Sequence, residues 1–457
     1  ATLPDEAALG AWLRGARRET TVVADRTPTA PRATHRTRRA SFTRPYIAHA
    51  SIGPSCALAQ WQGDALHIWS HTQGVYNLRA DLAIVFAMPA GRIVVEHVQG
   101  AGCYGHNGAD DVALDAALLA RAAGGRPVRV QWTREDELAW SPFGPAMAID
   151  LEADLDERGE VLAWRGEVFS NGHTMRPGRA SVPTLLAASQ LARPFERPVS
   201  VDPPFAGGGG SQRNAVPGYD FPAVRVQCHR VLEMPIRASA LRSLGAHANV
   251  FAIESFVDDL ARERGEDPLA WRLRHVCDAR ARAVLESAAR RASWGTPLPE
   301  GFGRGIGWAR YKGSGAYCAV VAEVELTHEV RVRRLAIAVD VGFAVNPDGV
   351  ANQVEGGAIQ AASWTLKEAL RFDRTRISDA GWETYPILRF SEVPHVEVEV
   401  LQHDNEPSMG AGEAAQGPAA AAIANAVRDA IGARVRDLPI TADRIAAASL
   451  AEETETA

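Results

Sequence analysis

Cysteine is scarce in this chain. Five occur among 457 residues, Cys56, Cys103, Cys228, Cys277 and Cys318, widely separated and odd in number. No C-x-x-C pair occurs, so neither an iron–sulfur cluster nor a structural zinc site is legible. Most of the five are expected to be buried small apolar residues. An excess of one charge is also lacking. Lys plus Arg is 49 and Asp plus Glu is 55, a net charge of −6, which singles out neither nucleic acid nor an anionic membrane as the main partner. No apolar run reaches the length of a transmembrane helix. The histidines, among them His71, His97, His106, His229 and His247, never take an H-E-x-x-H or similar ligand spacing, which argues against a zinc hydrolase. A G-x-S-x-G elbow for a serine hydrolase is missing as well. The N-terminus, Ala-Thr-Leu-Pro-Asp-Glu, shows no basic n-region, no apolar h-region and no initiator Met. No signal peptide is therefore expected, and the chain is expected to be processed or to be part of a longer polypeptide.

What the chain does have is length, enough for roughly two to four domains and a large core. Hydrophobic residues make up 46% and charged residues 23%, the composition of an ordinary globular protein. The first forty-odd residues are rich in Arg and Thr, including the run Arg32–Arg39, and read as a solvated surface linker rather than a nucleic-acid arm. Beyond them, 92–98, 127–132, 148–170 and 222–234 read mostly as strands. A helix is expected over 111–123, N-capped by Asp110, with Val112, Leu114, Ala117 and Leu118 on its buried stripe. A second helix is expected over 247–264, and 274–291 reads as helical and polar. The Gly- and Pro-rich stretch 294–307 reads as a domain boundary. Strands at 316–327, 330–340 and 394–402 follow, with helices near 350–370 and over 418–431, Pro418 taking the first helical position. Strands mixed with amphipathic helices argue for α+β or α/β layers, and the fold expected is α+β.

Three glycine-rich segments are positioned to carry chemistry. Gly100–Gly108 lies between an expected strand and helix, a way to present backbone N–H groups to a phosphate, although the Walker Lys-Ser/Thr is missing. A tight packing turn is the competing reading. Gln353-Val-Glu-Gly-Gly-Ala-Ile-Gln360 sets Gln353, Glu355 and Gln360 in an otherwise apolar helix, either as an exposed polar edge or as groups that bond a pterin-like heterocycle. Pro407–Ala419 places one carboxylate, Glu413, among residues too small to crowd it, just before a helix. A lone glutamate is most often a surface residue. This one sits where a general base beside a bound anionic cofactor would sit.

Taken together, the segments resemble the molybdenum-cofactor subunit of the xanthine dehydrogenase/aldehyde oxidase family, in the bacterial molybdenum hydroxylase form, over about residues 45–445. Ile68-Trp-Ser-His-Thr-Gln-Gly74 resembles the loop whose glutamine, here Gln73, contacts the molybdenum oxo group. Gly100–Asp110 resembles the family's Gly-Gly-Phe-Gly-Gly-Lys loop, and Ala240-Leu-Arg-Ser-Leu-Gly245 its Arg-Gly-x-Gly segment. Gln353–Gly357 and Met409–Glu413 resemble the last two cofactor segments.

The resemblance implies two elongated mixed α/β cofactor-binding domains, 45–292 and 293–457, packed around a buried molybdopterin site, with 1–44 as a leading segment or linker. It implies Glu413 as general base and Gln73 and Arg242 as further catalytic residues, Arg242 fixing the site or the substrate. Gly102, Cys103, Tyr104, Gly105, Gln353, Gly412 and Gln416 would bind the cofactor. The backbone N–H groups near 102–105 and 416–419 would hold the pterin and its phosphates. The molybdenum is then held by the pterin dithiolene rather than by side chains, and the segment pattern suggests the cytosine-dinucleotide form.

The reaction implied is hydroxylation of an sp2 carbon of an N-heteroaromatic compound or an aldehyde with water-derived oxygen. Electrons would leave through a [2Fe-2S] partner subunit, and then through an FAD or haem subunit. The complex would be cytoplasmic, or periplasmic where a partner carries an export signal. The chain departs from the family in three places. The family's upstream domain of about a hundred residues is reduced to a short leading segment, which points to a separate chain or a cleavage. The loop phenylalanine is replaced around Cys103-Tyr104. The Gly-Gln-Gly segment is missing where Tyr311–Tyr317 lies. Ser243 follows the arginine where carbon monoxide dehydrogenases have cysteine, which argues against a copper–molybdenum site. The alternative of a different class is a non-catalytic scaffold or binding subunit of such a complex, with a hydrolase third.

Overall fold

The computed structural model describes residues 2–27, 33–179, 181–327 and 329–456. Along the chain come α1 (Leu9–Gly15), β1 (Arg18–Arg26), β2 (Arg36–Arg44), β3 (Cys56–Gln62), β4 (Ala65–Ser70), α2 (Val75–Phe86), β5 (Ile93–His97), α3 (Ala109–Ala122), β6 (Val128–Gln131) and α4 (Arg134–Trp140). Then come β7 (Met147–Leu155), β8 (Val161–Ser170), β9 (Ala223–Val231), α5 (Ala246–Glu263), α6 (Pro268–Arg274) and α7 (Ala279–Arg291). The last third holds β10 (Phe302–Arg310), β11 (Tyr317–Leu326), β12 (Val330–Asp340), α8 (Pro347–Leu366), β13 (His395–Leu401), α9 (Gln416–Ile431) and α10 (Ala442–Thr456). Three mixed sheets result, in the orders β1-β9-β8-β7-β2, β5-β4-β3-β6 and β10-β11-β12-β13. The pairs β8–β9, β4–β5 and β12–β13 are parallel and the rest antiparallel. The α+β expectation holds. Among the described residues no helix is long and apolar enough to cross a membrane.

The leading segment is not a linker. Its α1 buries Leu9 and Leu13, and β1 and β2 form the two edges of the five-stranded sheet. Arg32 of the basic run lies outside the described residues. The remaining arginines suit an edge strand, where charge discourages pairing with another chain. Arg38 Nε donates to Glu263 at 3.0 Å, Arg39 pairs with Glu152, and Ala40 and Phe42 face the core. Two smaller differences occur at helix starts. Asp110 lies inside α3 rather than at its N-cap, which is Gly108, and its buried carboxylate takes the Thr72 hydroxyl and lies 3.2 Å from His106 Nε2. Pro418 is the third residue of α9, still within the turn whose N–H groups have no helical partner.

One core crosses the boundary expected near 293: α7 packs on β11 and β12, and α5 packs on α9. The contact that matters most for the site is α9 on β10. In β10 successive side chains alternate between faces, so Gly303, Gly305 and Gly307 present one bare face. A Cβ on Gly305 would lie 2.2 Å from the Ala426 nitrogen and 2.4 Å from the Ala422 oxygen. Helix α9 answers with alanine at 419–422, 424 and 426, all buried, so helix backbone lies directly on strand backbone. That contact sets where α9 begins, and Glu413 lies just before it. Glu254 of α5 is fully buried. It accepts from Arg272 Nε at 2.9 Å and the Tyr219 hydroxyl at 2.5 Å. A buried ion pair so bonded holds α5 against α6.

Candidate functional site

Four segments meet around Arg242. The loop 102–105 reaches it through backbone: Tyr104 O accepts from Arg242 N at 2.6 Å, and Ala240 O accepts from His106 N at 2.7 Å. Gly105 is required there, because its φ is +135° and a Cβ would lie 2.0 Å from the Ala240 oxygen. Cys103 lies in the same loop with its thiol donating to Gly105 O at 2.8 Å, and Gly102 O accepts from the Ser51 hydroxyl at 3.0 Å. The Arg242 guanidinium then ties the remaining segments. Its Nε lies 2.6 Å from Gly412 O and 2.8 Å from the Gln416 amide oxygen, whose nitrogen donates to Glu413 O at 2.9 Å. Its Nη2 donates to Gln353 O at 3.0 Å and its Nη1 to Gln360 Oε1 at 3.3 Å. A planar guanidinium with five N–H donors suits this cross-linking.

Glu413 is half-buried, and both carboxylate oxygens are held. Ser243 N–H donates to Oε1 at 2.8 Å and the Tyr311 hydroxyl to Oε2 at 2.6 Å. The Ser243 N–H is aimed by two successive left-handed residues, Ser243 at φ +72° and Leu244 at +51°. Arg213 Nη1 donates to the Tyr311 oxygen at 2.6 Å and lies 3.9 Å from Glu413 Oε2. One bond per carboxylate oxygen leaves one lone pair on each free to take a proton. Burial and the Glu413 charge push the Tyr311 phenol well above the usual tyrosine range, so it stays a donor.

Gln73 is not bonded into this cluster. Its Oε1 accepts from Arg176 Nη2 at 2.6 Å, and Arg176 in turn feels the charge of Glu413 across the site. Sequence reasoning thus brings Gly102–Gly105, Arg242, Gln353, Gly412, Glu413 and Gln416 together. It missed Tyr311, Arg213, Arg176 and the Ser243 amide, for which residue type alone offered no signal.

A cleft of about 390 Å³ opens beside Arg242, lined by Tyr104, Asn352, Gln353, Gly356 and Gln360 among others. A Cβ on Gly356 or on Gly410 would meet open space. The amides of Asn352, Gln353 and Gln360, the Arg242 guanidinium and the Tyr104 phenol give this cleft both donors and acceptors of the kind a pterin heterocycle uses. Among the described residues no group of three His, Cys, Asp or Glu side chains could hold a metal ion directly.

Fold and site together define a molybdopterin-binding chain. The sequence matches the molybdopterin cofactor-binding domain family twice, over residues 19–199 and 222–394. It is 40% identical over 426 residues to a nicotinate dehydrogenase subunit of Pseudomonas putida, covering 89% of this chain and 34% of that one. It is 29% identical over 405 residues to the beta subunit of isoquinoline 1-oxidoreductase of Brevundimonas diminuta, covering 86% and 48%. The chain thus spans between a third and a half of the length of these curated relatives. Among solved structures, aldehyde oxidoreductase from Desulfovibrio gigas superposes with a TM-score of 0.74 at 16% identity, covering 95% of this chain and 63% of that one. Quinoline 2-oxidoreductase from Pseudomonas putida 86 superposes at 0.73 with 16% identity, covering 94% and 79%, and both likenesses bear on the fold. The chain belongs to the xanthine dehydrogenase/aldehyde oxidase family, among its molybdenum-cofactor-binding chains.

Proposed function

We propose that this chain holds the molybdenum–pterin cofactor of a hydroxylase acting on an sp2 carbon of an N-heteroaromatic ring or an aldehyde. When bound, that cofactor supplies the two-electron oxidation and delivers the water-derived oxygen. The observation that carries the reading is the Glu413 carboxylate, oriented by the Ser243 N–H and the Tyr311 hydroxyl with one lone pair left on each oxygen. A carboxylate so held accepts a proton at a defined point while carbon–oxygen bond formation proceeds. Arg242 keeps Gly412, Gln416, Gln353 and the Tyr104 backbone in one register, so the pterin cradle and the base move as one body. Tyr104, Gln353 and the 102–105 loop orient the heterocycle, and Gln73 is held by Arg176.

The path assigned to the electrons is a partner subunit carrying [2Fe-2S] clusters, with an FAD or haem subunit as the next acceptor. The cofactor is assigned the cytosine-dinucleotide form. Ring substrates of the kind named in the relatives, nicotinate and isoquinoline, define the substrate class.

The test is metal and nucleotide analysis of the purified complex alongside Glu413→Gln. About one molybdenum per chain is expected, with turnover falling about 10²- to 10⁴-fold in the variant at unchanged metal content. Full turnover in Glu413→Gln together with no molybdenum on this chain would instead make this a scaffold subunit.

A further inference from the structure

Three arginines stand at the site, and two are bonded through all three of their nitrogens. Arg213 donates to Gly208 O, Gly209 O and the Tyr311 hydroxyl. Arg242 binds Gly412, Gln353 and Gln360. Arg176 differs. Its one hydrogen bond is Nη2 to Gln73 Oε1 at 2.6 Å, and among the described residues no carboxylate lies within ion-pair distance of it. Four of its five N–H donors are therefore uncommitted. The residue is partly buried, and that burial pulls its pKa down, against the opposing pull of Cys103, Asp110 and Glu413. A half-buried cation with idle donors, and no carboxylate beside it among the described residues, is suited to receive an anionic group.

The backbone carrying Arg176 is tied on both sides. Met175 N–H donates to the Ser239 hydroxyl at 2.8 Å, which also pairs with His106 Nδ1 at 2.8 Å. Pro177 O accepts from Asn77 at 3.0 Å, and Gly178 N–H donates to the buried Asp81 at 2.7 Å. The base of the side chain is thus fixed, and the Gln73 bond holds one end of the fork.

We propose that Arg176 is a specificity residue that receives a carboxylate carried on the aromatic ring of the substrate, so that the enzyme selects ring carboxylates over neutral rings. The inference rests on the reading that Glu413 faces the substrate, and it divides the relatives' named compounds: nicotinate carries such a carboxylate and isoquinoline does not. The planar fork matches a carboxylate through two parallel N–H···O bonds. Gln73, bonded to one Nη, keeps the remaining donors turned toward the ligand.

The test uses the holoenzyme complex with two probes of one shape, pyridine-3-carboxylate and the neutral pyridine-3-carboxamide. Binding is read by calorimetry, KM and kcat by turnover, and molybdenum by metal analysis. In Arg176→Gln the carboxylate should bind about 10- to 100-fold more weakly and the carboxamide within about threefold of wild type. Molybdenum content should be unchanged, and Arg176→Lys should recover part of the loss. Equal weakening of both probes, no weakening, or no carboxylate preference in the wild type would overturn the proposal. A fall in molybdenum would also overturn it, by assigning Arg176 to an anionic group of the cofactor. The binding arm does not depend on turnover. A complex that prefers the carboxylate but keeps full activity in Glu413→Gln would sink the catalytic role of Glu413 and leave Arg176 standing.

Discussion

The Tyr311 hydroxyl donates to Glu413 Oε2 at 2.6 Å while its own oxygen accepts from Arg213 Nη1 at 2.6 Å. A phenol between a guanidinium and a carboxylate both orients the carboxylate and screens it from the cation, which stands 3.9 Å away. The three residues come from the segment before β9, the turn after β10 and the loop before α9.

Tyr311→Phe removes one of the two donors to Glu413 and leaves the ring in place. Hydrogen bonds to charged groups contribute about 1.5–3 kcal/mol, so kcat/KM should fall about 10- to 100-fold at unchanged molybdenum content. Burial and the Glu413 charge hold the phenol protonated far above neutral pH. The alkaline limb of the pH–rate profile should therefore be the same in Tyr311→Phe and wild type. Disappearance of that limb in the variant would show that Tyr311 itself titrates during turnover.

Ser243 is held at φ +72° with its hydroxyl buried and unpartnered, while its N–H serves Glu413. Glycine adopts that backbone without strain, keeps the N–H and removes the orphan hydroxyl. Ser243→Gly should raise stability by about 1 kcal/mol and preserve activity within a few-fold, as read by thermal unfolding and steady-state turnover. A lower melting temperature would mean that the hydroxyl has a partner in the loaded enzyme.

Glu368 lines the cleft, is 2% exposed, and accepts from the Tyr385 hydroxyl at 2.9 Å. Burial raises its pKa from 4.5 to about 8. Between those values the folded chain holds a proton that the unfolded chain has released. Stability should therefore fall as pH rises from about 4.5 to about 8, by at most about 1.4 kcal/mol per unit. Glu368→Gln should flatten that slope and be the more stable form near pH 8, in denaturant melts across the range. Parallel slopes for the two proteins would assign the pH dependence elsewhere.

Much of the site was legible because its segments carry unusual local composition. Glu413 stands among Gly and Ala, Gln353 and Gln360 interrupt an apolar helix, and Arg242 lies in a segment of small and apolar residues. Tyr311, Arg213 and Arg176 were not legible, since each sits in a segment whose composition marks only a turn. Their roles come from partners about a hundred residues or more away: Tyr311 with Glu413, Arg213 with Tyr311, Arg176 with Gln73. The leading strands were misread for the same reason. Arg and Thr at 18–26 and 36–44 look solvated until β9 and β7 supply backbone partners and Glu152 and Glu263 supply charge.

The sequence by itself determined the elements with strong periodicity, the family through the order of its glycine-rich segments, and the placement of the Glu413 carboxylate in a loop of small residues before a helix start. Local propensity and side-chain size act over a few residues, and that is the range over which a sequence speaks plainly. The tertiary structure alone decided which donors orient Glu413, which arginine of the site keeps most of its donors uncommitted, and that the leading segment closes both edges of a sheet. Those outcomes depend on hydrogen bonds and ion pairs between residues far apart in the chain. Their geometry exists only once β10 has received α9 on its bare glycine face and the loops have been brought to the ends of the sheets.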